Sequence, residues 1–489
     1  MKKLLVVLIA GLAIWGCKKK QLGLEEEGAL EFSSSEVMFD TVFTALGSTT
    51  HSFKIYNRSR KDIVVSDISL EQGSASMFRI NVDGIPGEQT DVLIRGEDSA
   101  FVFVEVTVDP GNVNNPFIVE DNVVFMTNGT QQKVKLTAWG QDAYYYRPRE
   151  QVQGLPAFSR ISSYEDQVFV GDEIVWTNDK PHVIYGYLMV DSSLTLKIEK
   201  GTQVHLHDGA GIWVYQGGAI RCEGEKDEEV VFQGDRLEAG FDDIAGQWDR
   251  IWINEGAESS FKHTIIKNGF VGLQVETLPF DPNASISPNK LILQKTIIKN
   301  MVGIGILSRN FNLVAENVEI YNIGNQDVAI NGGGDYSFTH CTFANYWSGH
   351  NRQQPLLFVN NYYQDLEGTT QNKDLKVRFG NCSFYGNKDE EIELDSADGQ
   401  VFDVVFDHCI IKTEWENPSA PMFVDCLINP ENGNATPVFK GPSAGENQLY
   451  SGSVAVDAGD PDITATMTDQ TDLEDKARDA TPDIGAYEL

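Results

Sequence analysis

A motif repeated in the middle of the chain constrains its fold more than any other feature. The sequence HTIIKNGFVGLQV at residues 263–275 returns as KTIIKNMVGIGIL at residues 295–307. Looser copies follow at Val318, Cys341, Cys382, Cys409 and Cys426. Within each copy apolar side chains alternate with polar ones, which is the two-residue period of a β-strand. Strands this short bury little surface alone, so the repeat predicts that they stack into a parallel β-solenoid.

Aligning the copies predicts two columns of inward side chains. The first column contains Thr264, Thr296, Val318, Cys341, Cys382, Cys409 and Cys426, and the second contains Ile266, Ile298, Ile320, Phe343, Phe384, Ile411 and Ile428. An Asn commonly follows two residues later, where its tolerance of the left-handed region suits a bend. The cysteines of the first column are expected to be buried thiols, because an odd number at this spacing does not fit a disulfide framework. A disulfide between neighbouring coils remains an alternative.

Residues 171–450 are predicted to form the solenoid. Their strand-like runs alternate with glycine-containing bends, as in residues 186–235. This order resembles the right-handed parallel β-helices of the pectin-lyase-like superfamily, in the subset found on bacterial surface lipoproteins. The handedness follows from that resemblance and from general chirality. The wide gap between the copies at Phe343 and Phe384 is predicted to hold an additional coil at residues 355–360, together with loops.

The C-terminal end carries a second set of motifs. Its segments Asp457-Ala458-Gly459, Asp472–Arg478 and Asp483–Glu488 resemble the end of choice-of-anchor Q β-helix proteins. Glu474 and Asp475 stand where that pattern has Asp and Gly. An unpaired strand edge at the last coil would be a template for aggregation, so residues 451–489 are predicted to cap it, with Arg478 paired to nearby acids.

Residues 31–145 have the pattern of an antiparallel β-sandwich. Runs such as Ser52–Tyr56 and Phe101–Val106 alternate and are separated by turn residues. The order of strands and turns resembles the choice-of-anchor D and hydin-type immunoglobulin-like domains, with Ala138-Trp139 as a departure in the last strand. The resemblance implies a structural or interaction module. Residues 146–170 are predicted to be a linker.

The N-terminus reads as an export signal. Residues 1–16 contain two lysines and an apolar run too short to cross a bilayer. Ile14-Trp15-Gly16-Cys17 resembles the bacterial lipobox, which implies cleavage before Cys17 and its acylation, with residues 17–30 as a lipidated tether. The protein is therefore expected in the cell envelope, held at the outer membrane by its lipid and facing the periplasm or the surface. Plain signal cleavage is the alternative.

The charge of the chain excludes one class of partner. It carries 72 acidic and 38 basic residues, a net charge of −34. A nucleic-acid binder needs a basic face, so no nucleic acid is expected. No cofactor is predicted, although calcium bound by loop carboxylates is compatible with this acidity.

Candidate binding residues lie in the irregular loops after Asn345. These are Trp347, His350, Arg352, Tyr362 and Tyr363. Loops on one face of a solenoid commonly bind ligands, and aromatic side chains stack on sugars. Residues 276–290 form another candidate loop.

No catalytic residue or confident metal site can be assigned. Acid pairs exist at Asp242-Asp243 and at Asp389 and Asp395, as a hydrolase would need. The polar groups His205, His207 and Asp208 could form a metal pair or a base, or be exposed residues near a turn. Lys267 and Lys299 read as a solvated face or as binders of an anionic sugar.

Three functions are compatible with this sequence. The favoured one is binding or scaffolding at the cell surface, with a glycan as the candidate ligand. The second is a polysaccharide lyase or glycoside hydrolase acting on acidic polysaccharide, since the same fold hosts such enzymes. The third is a structural spacer or adhesin stalk.

Overall fold

The structure is a computed structural model with two compact units, residues 1–142 and 143–489. It describes residues 24–25, 29–43, 48, 50–107, 117–165, 167–277, 286–364, 368–415, 421–431 and 436–489. Cys17, the predicted signal peptide and most of the predicted tether lie outside these ranges. Within them, no helix is long and apolar enough to cross a membrane.

The first unit is built from ten strands. They are β1 (Glu31–Phe32), β2 (Glu36–Phe43), β3 (His51–Tyr56), β4 (Ile63–Leu70), β5 (Phe78–Val82), β6 (Ile85–Pro86), β7 (Gln89–Ile94), β8 (Ser99–Val106), β9 (Phe117–Thr127) and β10 (Thr130–Gln141). One sheet has the order β1-β3-β8-β5-β6 and the other β2-β10-β9-β4-β7, and all pairs are antiparallel except β2 with β10.

The core of this unit lies between the two sheets. In β3 and β8 every second side chain is buried, as alternation predicts. Phe39, Phe53, Phe78 and Phe125 are at most 2% exposed and fill the centre. Buried Asn57 donates to the carbonyls of Lys61, Ile94 and Arg95 and so joins the end of β3 to two turns. The predicted β-sandwich is confirmed.

The second unit contains the remaining strands. In chain order they are β11 (Tyr144–Tyr146), β12 (Phe158–Arg160), β13 (Glu173–Trp176), β14 (His182–Ile184), β15 (Tyr187–Val190), β16 (Thr195–Glu199), β17 (Gln203–Leu206), β18 (Gly211–Val214), β19 (Ala219–Glu223), β20 (Val230–Gly234), β21 (Ile251–Asn254), β22 (Ser259–Lys267), β23 (Val271–Glu276), β24 (Lys290–Met301), β25 (Ile304–Arg309), β26 (Phe311–Glu316), β27 (Glu319–Ile323), β28 (Val328–Ile330), β29 (Gly334–Thr339), β30 (Thr342–Asn345), β31 (Leu357–Asn360), β32 (Tyr362–Gln364), β33 (Thr370–Asn372), β34 (Leu375–Gly380), β35 (Ser383–Gly386), β36 (Ile392–Asp395), β37 (Phe402–Asp407), β38 (Ile410–Ile411), β39 (Phe423–Val424) and β40 (Leu427–Ile428). One helical turn, α1, spans Pro461–Thr464.

These strands form a right-handed parallel β-helix. A nine-stranded sheet runs from β12 to β36, and a 19-stranded sheet from β11 to β40 covers two further faces. Strands β22 and β24 each turn a corner and contribute to both of those faces. The predicted fold class is confirmed.

The solenoid begins earlier in the chain than residue 171. Strand β11 pairs in parallel with β14, and β12 pairs with β15. Tyr146 is buried in the solenoid core against Trp176, with ring centroids 4.8 Å apart. The predicted linker at residues 146–170 therefore contains strands of the first coils, and the sandwich unit ends at residue 142.

The predicted inward columns are confirmed by the register. Ile266 pairs with Ile298, then in turn with Ile320, Phe343, Phe384, Ile411 and Ile428 on successive coils. Cys341, Cys382 and Cys409 are fully buried, and Cys426 is partly buried against the same core. The five cysteines of the described residues are free thiols.

The additional coil predicted at residues 355–360 is wrong. Strand β30 pairs directly with β35, so Phe343 and Phe384 lie on neighbouring coils. Residues 357–360 form β31, which belongs to the nine-stranded face of the same coil. The additional residues between Phe343 and Phe384 form the loop after Asn345 and the β32–β33 hairpin. A spacing of motifs along the chain cannot distinguish a long loop from an added coil.

A sharp corner precedes the first inward column. Its residues all take positive φ, between 40° and 53°, and we call them the corner column: His263, Lys295, Asn317, His340, Asn381, His408 and Asp425. The Asn residues expected at a bend lie at the next corner, where Asn268, Asn300 and Asn322 take φ of 71°, 55° and 54°. Positive φ costs non-glycine residues energy, so a long side chain here needs other interactions to favour it.

Those interactions come from residues 436–489, the C-terminal segment. Lys295 Nζ lies 2.8 Å from Asp469 Oδ2, and Asn317 Nδ2 donates to the Thr471 carbonyl at 2.8 Å. His340 Nε2 lies 2.8 Å from Thr464 Oγ1. The segment thus lies along the side of several coils, and its role as a cap on the last coil stays a prediction.

The motifs of the C-terminal segment hold it in shape. Buried Arg478 pairs with Glu488 at 3.1 Å, as predicted, and donates to Asn317 Oδ1 at 2.8 Å. Asp475, which stands where the resembling pattern has Gly, takes a φ of 63°. Asp472 Oδ1 accepts hydrogen bonds from the backbone N–H groups of residues 474 and 476, which stabilises this turn.

We expect Phe379→Ala to lower the free energy of unfolding of the solenoid by about 3–5 kcal/mol, because it removes a buried ring from a stack. Phe379 is 1% exposed, and its centroid lies 5.0 Å from that of Phe338 and 4.9 Å from that of Phe406. Urea denaturation would measure the change. The control is Phe270→Ala, which removes a ring that is 47% exposed. Equal losses in the two variants would contradict the importance of the stack.

Candidate functional site

A cavity of about 460 Å³ opens beside the loop that joins β30 to β31. We call it the Trp347 cavity. Its wall contains Trp347, His350, Arg352, Asn387, Lys388, Asp389, Glu390 and Glu414. Three of the five predicted binding residues therefore meet here. The loop begins where β30 ends at Asn345, and the chain returns to the nine-stranded face as β31.

Two side chains fix Trp347 in place. Asn345 Oδ1 accepts from the Trp347 backbone N–H at 3.2 Å, and Asn387 Nδ2 donates to the Trp347 carbonyl at 3.1 Å. The indole N–H donates to His350 Nδ1 at 3.0 Å, and the two rings meet at 69° with centroids 5.4 Å apart. Trp347 is half-buried. A ring held in this way offers a preorganised apolar surface to a ligand.

Arg352 lies beneath the cavity as the partner of a buried acid. Its side chain is 1% exposed and that of Glu391 is 0% exposed. Two hydrogen bonds of 2.6 and 2.8 Å join the guanidinium to the carboxylate. The terminal nitrogens also donate to Gln354, Asn345 and Asn387. The terminal nitrogens of Arg352 thus bond to the protein and shape the loop, whereas its Nε atom is buried without a hydrogen-bond partner among the described residues.

Burial raises the pKa values of two acids beneath the loop that joins β30 to β31. It raises the pKa of Glu391, opposed by the hydrogen bond and charge of Arg352. It raises the pKa of Asp327 still more strongly, and Asp327 accepts from Asn345 Nδ2 at 2.7 Å. The charge of Arg352 opposes the effect of burial on the pKa of Asp327, and the charge of Glu391 adds to it.

The rim of the cavity is acidic. Glu390 accepts from Thr413 Oγ1 at 2.8 Å and from the Glu414 backbone N–H at 3.0 Å. Asp389 is highly exposed and lies 3.8 Å from Lys412 Nζ. Lys388 donates to the Arg352 carbonyl at 3.4 Å. The carboxylates offer acceptors to ligand hydroxyl groups and repel ligand carboxylates.

Tyr362 and Tyr363 lie elsewhere. They belong to the β32–β33 hairpin, which follows strand β31 of the nine-stranded sheet. The Tyr362 hydroxyl donates to Asp395, and the Tyr363 ring packs on Gly332, where a Cβ would lie 2.9 Å from Cδ1. Neither residue lines the Trp347 cavity. Asp389 precedes β36 and lies beside Lys412, whereas Asp395 is the last residue of β36 and contacts Tyr362.

His205 and His207, which belong to the predicted polar group, contact different partners. His205 is buried, its Nδ1 lies 2.9 Å from the Gly234 carbonyl, and burial lowers its pKa to about 4. His207 Nδ1 lies 2.6 Å from Asp235 Oδ2. Within the described ranges, no group of three or more His, Cys, Asp or Glu side chains is placed to hold a metal ion.

The lysines of the repeat lie beside a loop. Lys267 Nζ donates to the Asp242 carbonyl at 3.4 Å, and Asp243 accepts from Asn300 at 3.0 Å. Burial and then the charge of Lys299 lower the pKa of Lys267. Lys299 lies over the Tyr321 ring, 5.7 Å from its centroid. Asp242 and Asp243 therefore contact the corner of the solenoid.

Sequence reasoning missed a second cavity, about 450 Å³ in volume, beneath the C-terminal segment. Glu319 lies in its wall and is 2% exposed. In register, Glu319 pairs with Ile297 on one coil and Thr342 on the next. The sequence offered one signal, because Glu319 is a charged residue in register with the uncharged residues Ile297 and Thr342. Only the fold shows that another segment covers these positions.

No known family model matches the chain, and no curated protein matches it. Among solved structures, the catalytic unit of a GH87 α-1,3-glucanase from Streptomyces thermodiastaticus strain HF3-3 is 12% identical, with 76% of this chain and 64% of that chain covered and a TM-score of 0.22. A Porphyromonas gingivalis W83 protein of unknown function is 12% identical, with 25% and 49% covered and a TM-score of 0.18.

A family 123 glycoside hydrolase from Clostridium perfringens is 8% identical, with 24% of this chain and 30% of that chain covered and a TM-score of 0.17. The matched part of this chain thus spans less than two thirds of each of these three proteins. These identities and TM-scores are low, so the likenesses do not indicate an activity.

We expect Arg352→Ala to destabilise the solenoid by about 3–5 kcal/mol, because it leaves Glu391 buried without its partner. The loss should be smaller at low pH, where Glu391 is protonated. Denaturation midpoints across pH would measure it. The matched control is the double variant Arg352→Met with Glu391→Met, which removes both charges and should recover most of the stability. An Arg352→Ala variant of unchanged stability would contradict the structural role of this pair.

Proposed function

We propose that this chain is an exported lipoprotein of the cell envelope that binds a neutral glycan in the Trp347 cavity. The observation that carries the proposal is the half-buried Trp347 ring, fixed by His350 at the wall of an open and otherwise polar cavity. Sugar rings present apolar C–H faces that stack on aromatic rings, while their hydroxyl groups need polar partners nearby.

The acidic rim supports a neutral ligand over a uronate. Asp389, Glu390 and Glu414 line the cavity, and Lys388 is the only lysine that the described residues contribute to its wall. The Arg352 guanidinium is paired with Glu391. A ligand carboxylate would meet like charges, whereas sugar hydroxyl groups can donate to the carboxylates. The proposed role is therefore binding or scaffolding at the cell surface.

The localisation part of the proposal depends on Cys17. Its position after an apolar run and a glycine fits lipid attachment, and acyl chains stabilise membrane association by about 0.8 kcal/mol per buried CH₂ group. The lysines at positions 18–20 lie beside this anchor in the sequence and would face anionic headgroups.

We expect Trp347→Ala to weaken binding of neutral glycans on an array by on the order of tenfold or more, a loss typical of removing a stacking ring. The control is Phe270→Ala, which removes another exposed aromatic ring of the solenoid. Uronate glycans should bind less than neutral glycans of the same length. An array without hits, or hits that both variants retain equally, would reject the proposal.

We expect Cys17→Ala to release the protein from the membrane fraction, because no acyl chain can then be attached. Cys426→Ala, which removes a thiol from the solenoid, is the matched control and should stay with the membranes. Fractionation followed by immunoblotting would measure both. Retention of the Cys17→Ala variant on membranes would show that another interaction holds the protein there.

A further inference from the structure

A third cavity, which we call the Lys299 cavity, lies next to the Trp347 cavity. Its volume is about 260 Å³, and its wall contains Asp243, Lys299, Asn300, Tyr321, Asn322, Tyr346, Ser348 and residues 442–445. Trp347, which stands between Tyr346 and Ser348 in the chain, lines the Trp347 cavity. Since consecutive Cα atoms are about 3.8 Å apart, the two cavities are neighbours.

The two cavities follow one another along the same corner of the solenoid. Strands β24, β27, β30, β35 and β38 pair in this order on successive coils. The Lys299 cavity takes residues from the ends of β24 and β27 and from the loop after β30. The Trp347 cavity takes residues from that loop and from the segments after β35 and β38. Neighbouring strands lie about 4.8 Å apart, so the five strands extend over about 19 Å.

Lys299 offers a donor to this cavity. Its side chain is partly exposed, and it forms no ion pair with the described residues. Its ammonium group lies 5.7 Å from the centroid of the Tyr321 ring. Lys267 is the equivalent residue on the preceding coil, but it donates to the Asp242 carbonyl at 3.4 Å and does not line the cavity.

Asn322 offers an acceptor, because a ladder of asparagine amides ends there. Asn322 Nδ2 donates to Asn300 Oδ1 at 2.6 Å. Asn345 lies on the next coil, but its Nδ2 donates to the Ile323 carbonyl at 2.9 Å and to Asp327 at 2.7 Å. The Asn345 amide therefore does not extend the ladder. Asn322 Oδ1 accepts no hydrogen bond from the described residues and is left to the cavity.

The wall of the Lys299 cavity combines aromatic rings with balanced charge. Tyr321 and Tyr346 are both partly exposed, and their rings provide apolar surface. Lys299 and Asp243 are the charged side chains that the described residues contribute, one of each sign. A neutral ligand therefore meets no excess of charge, and its hydroxyl groups find both donors and acceptors.

We propose that the Lys299 cavity and the Trp347 cavity form one groove for a neutral oligosaccharide, which runs along the corner of the solenoid from β24 to β38. The inference rests on the proposed function, since one sugar residue stacks on Trp347. Further residues of the same ligand occupy the Lys299 cavity. There Lys299 Nζ donates to one ligand hydroxyl group, and Asn322 Oδ1 accepts from another.

This arrangement selects ligands by length. A disaccharide can occupy one cavity, whereas a longer chain held at Trp347 presents its next residues to the Lys299 cavity at a high effective concentration. The longer ligand should therefore bind more tightly, and only its affinity should depend on Lys299.

The test measures the affinity of the full chain for disaccharides and hexasaccharides by isothermal titration calorimetry. The probes are the cello-, manno-, xylo- and malto-oligosaccharide series. We expect at least one series in which the hexasaccharide binds on the order of tenfold or more tightly than the disaccharide. Lys299→Ala should weaken binding of the hexasaccharide by roughly tenfold and leave the disaccharide unchanged. The matched control is Lys267→Ala, which should change neither affinity.

A second variant tests the same cavity without removing a hydrogen bond. Ala444 is exposed in the wall formed by the C-terminal segment. The larger side chain of Ala444→Leu would occupy part of the cavity, so the same selective loss of hexasaccharide binding is expected. Denaturation midpoints would verify the fold of each variant.

The outcomes separate this inference from the proposed function. Equal affinities for the disaccharide and the hexasaccharide, both weakened by Trp347→Ala, would overturn the inference and leave the proposed function intact. A length effect that persists in Lys299→Ala and Ala444→Leu would also overturn it, because it would reflect only the number of disaccharide units in the longer chain. Hexasaccharide binding that Trp347→Ala leaves unchanged would contradict the proposed function, and no binding in any series would reject both.

Discussion

The contacts between the corner column and the C-terminal segment are the constraint on which much of the solenoid depends. Each corner residue takes a positive φ, and several of its side chains then point to residues 460–485. Lys295, His340 and Asn381 illustrate three chemistries at equivalent positions: an ion pair, a histidine hydrogen bond and a paired amide. The backbone strain of the corner is thus offset by polar bonds far away in sequence, and the same contacts place Tyr487 over Glu319.

Buried charge has two outcomes in this unit. Arg352 and Glu391 are both removed from water, and their ion pair and hydrogen bonds to the surrounding backbone fix the loop that presents Trp347. Glu319 is buried beneath the C-terminal segment, where burial raises the pKa of its carboxyl group to about 7 and the Tyr487 hydroxyl donates to its Oε2 atom. The first arrangement fixes the shape of the loop, and the second joins the solenoid to the C-terminal segment.

Much of the fold could be predicted from the repeat. The period of two, the Ile266 column and the cysteine column follow from local pattern, because every coil must present the same inward positions to the next. The site was predictable only in part. Trp347, His350 and Arg352 were chosen because aromatic and polar residues cluster in an irregular loop, and all three line one cavity, but the buried partner of Arg352 could not be predicted. Tyr362 and Tyr363 are close in sequence but belong to a hairpin with other contacts.

The sequence by itself determined the solenoid, its inward columns and the β-sandwich, because these depend on the alternation of side chains within short segments. Only the tertiary structure decided that Phe343 and Phe384 lie on adjacent coils, that residues 436–489 lie along a flank, and that Glu391 and Glu319 are buried. These properties depend on which distant segments meet. A local pattern carries no information on a partner 39 or 168 residues away, as in the pairs Arg352 with Glu391 and Glu319 with Tyr487.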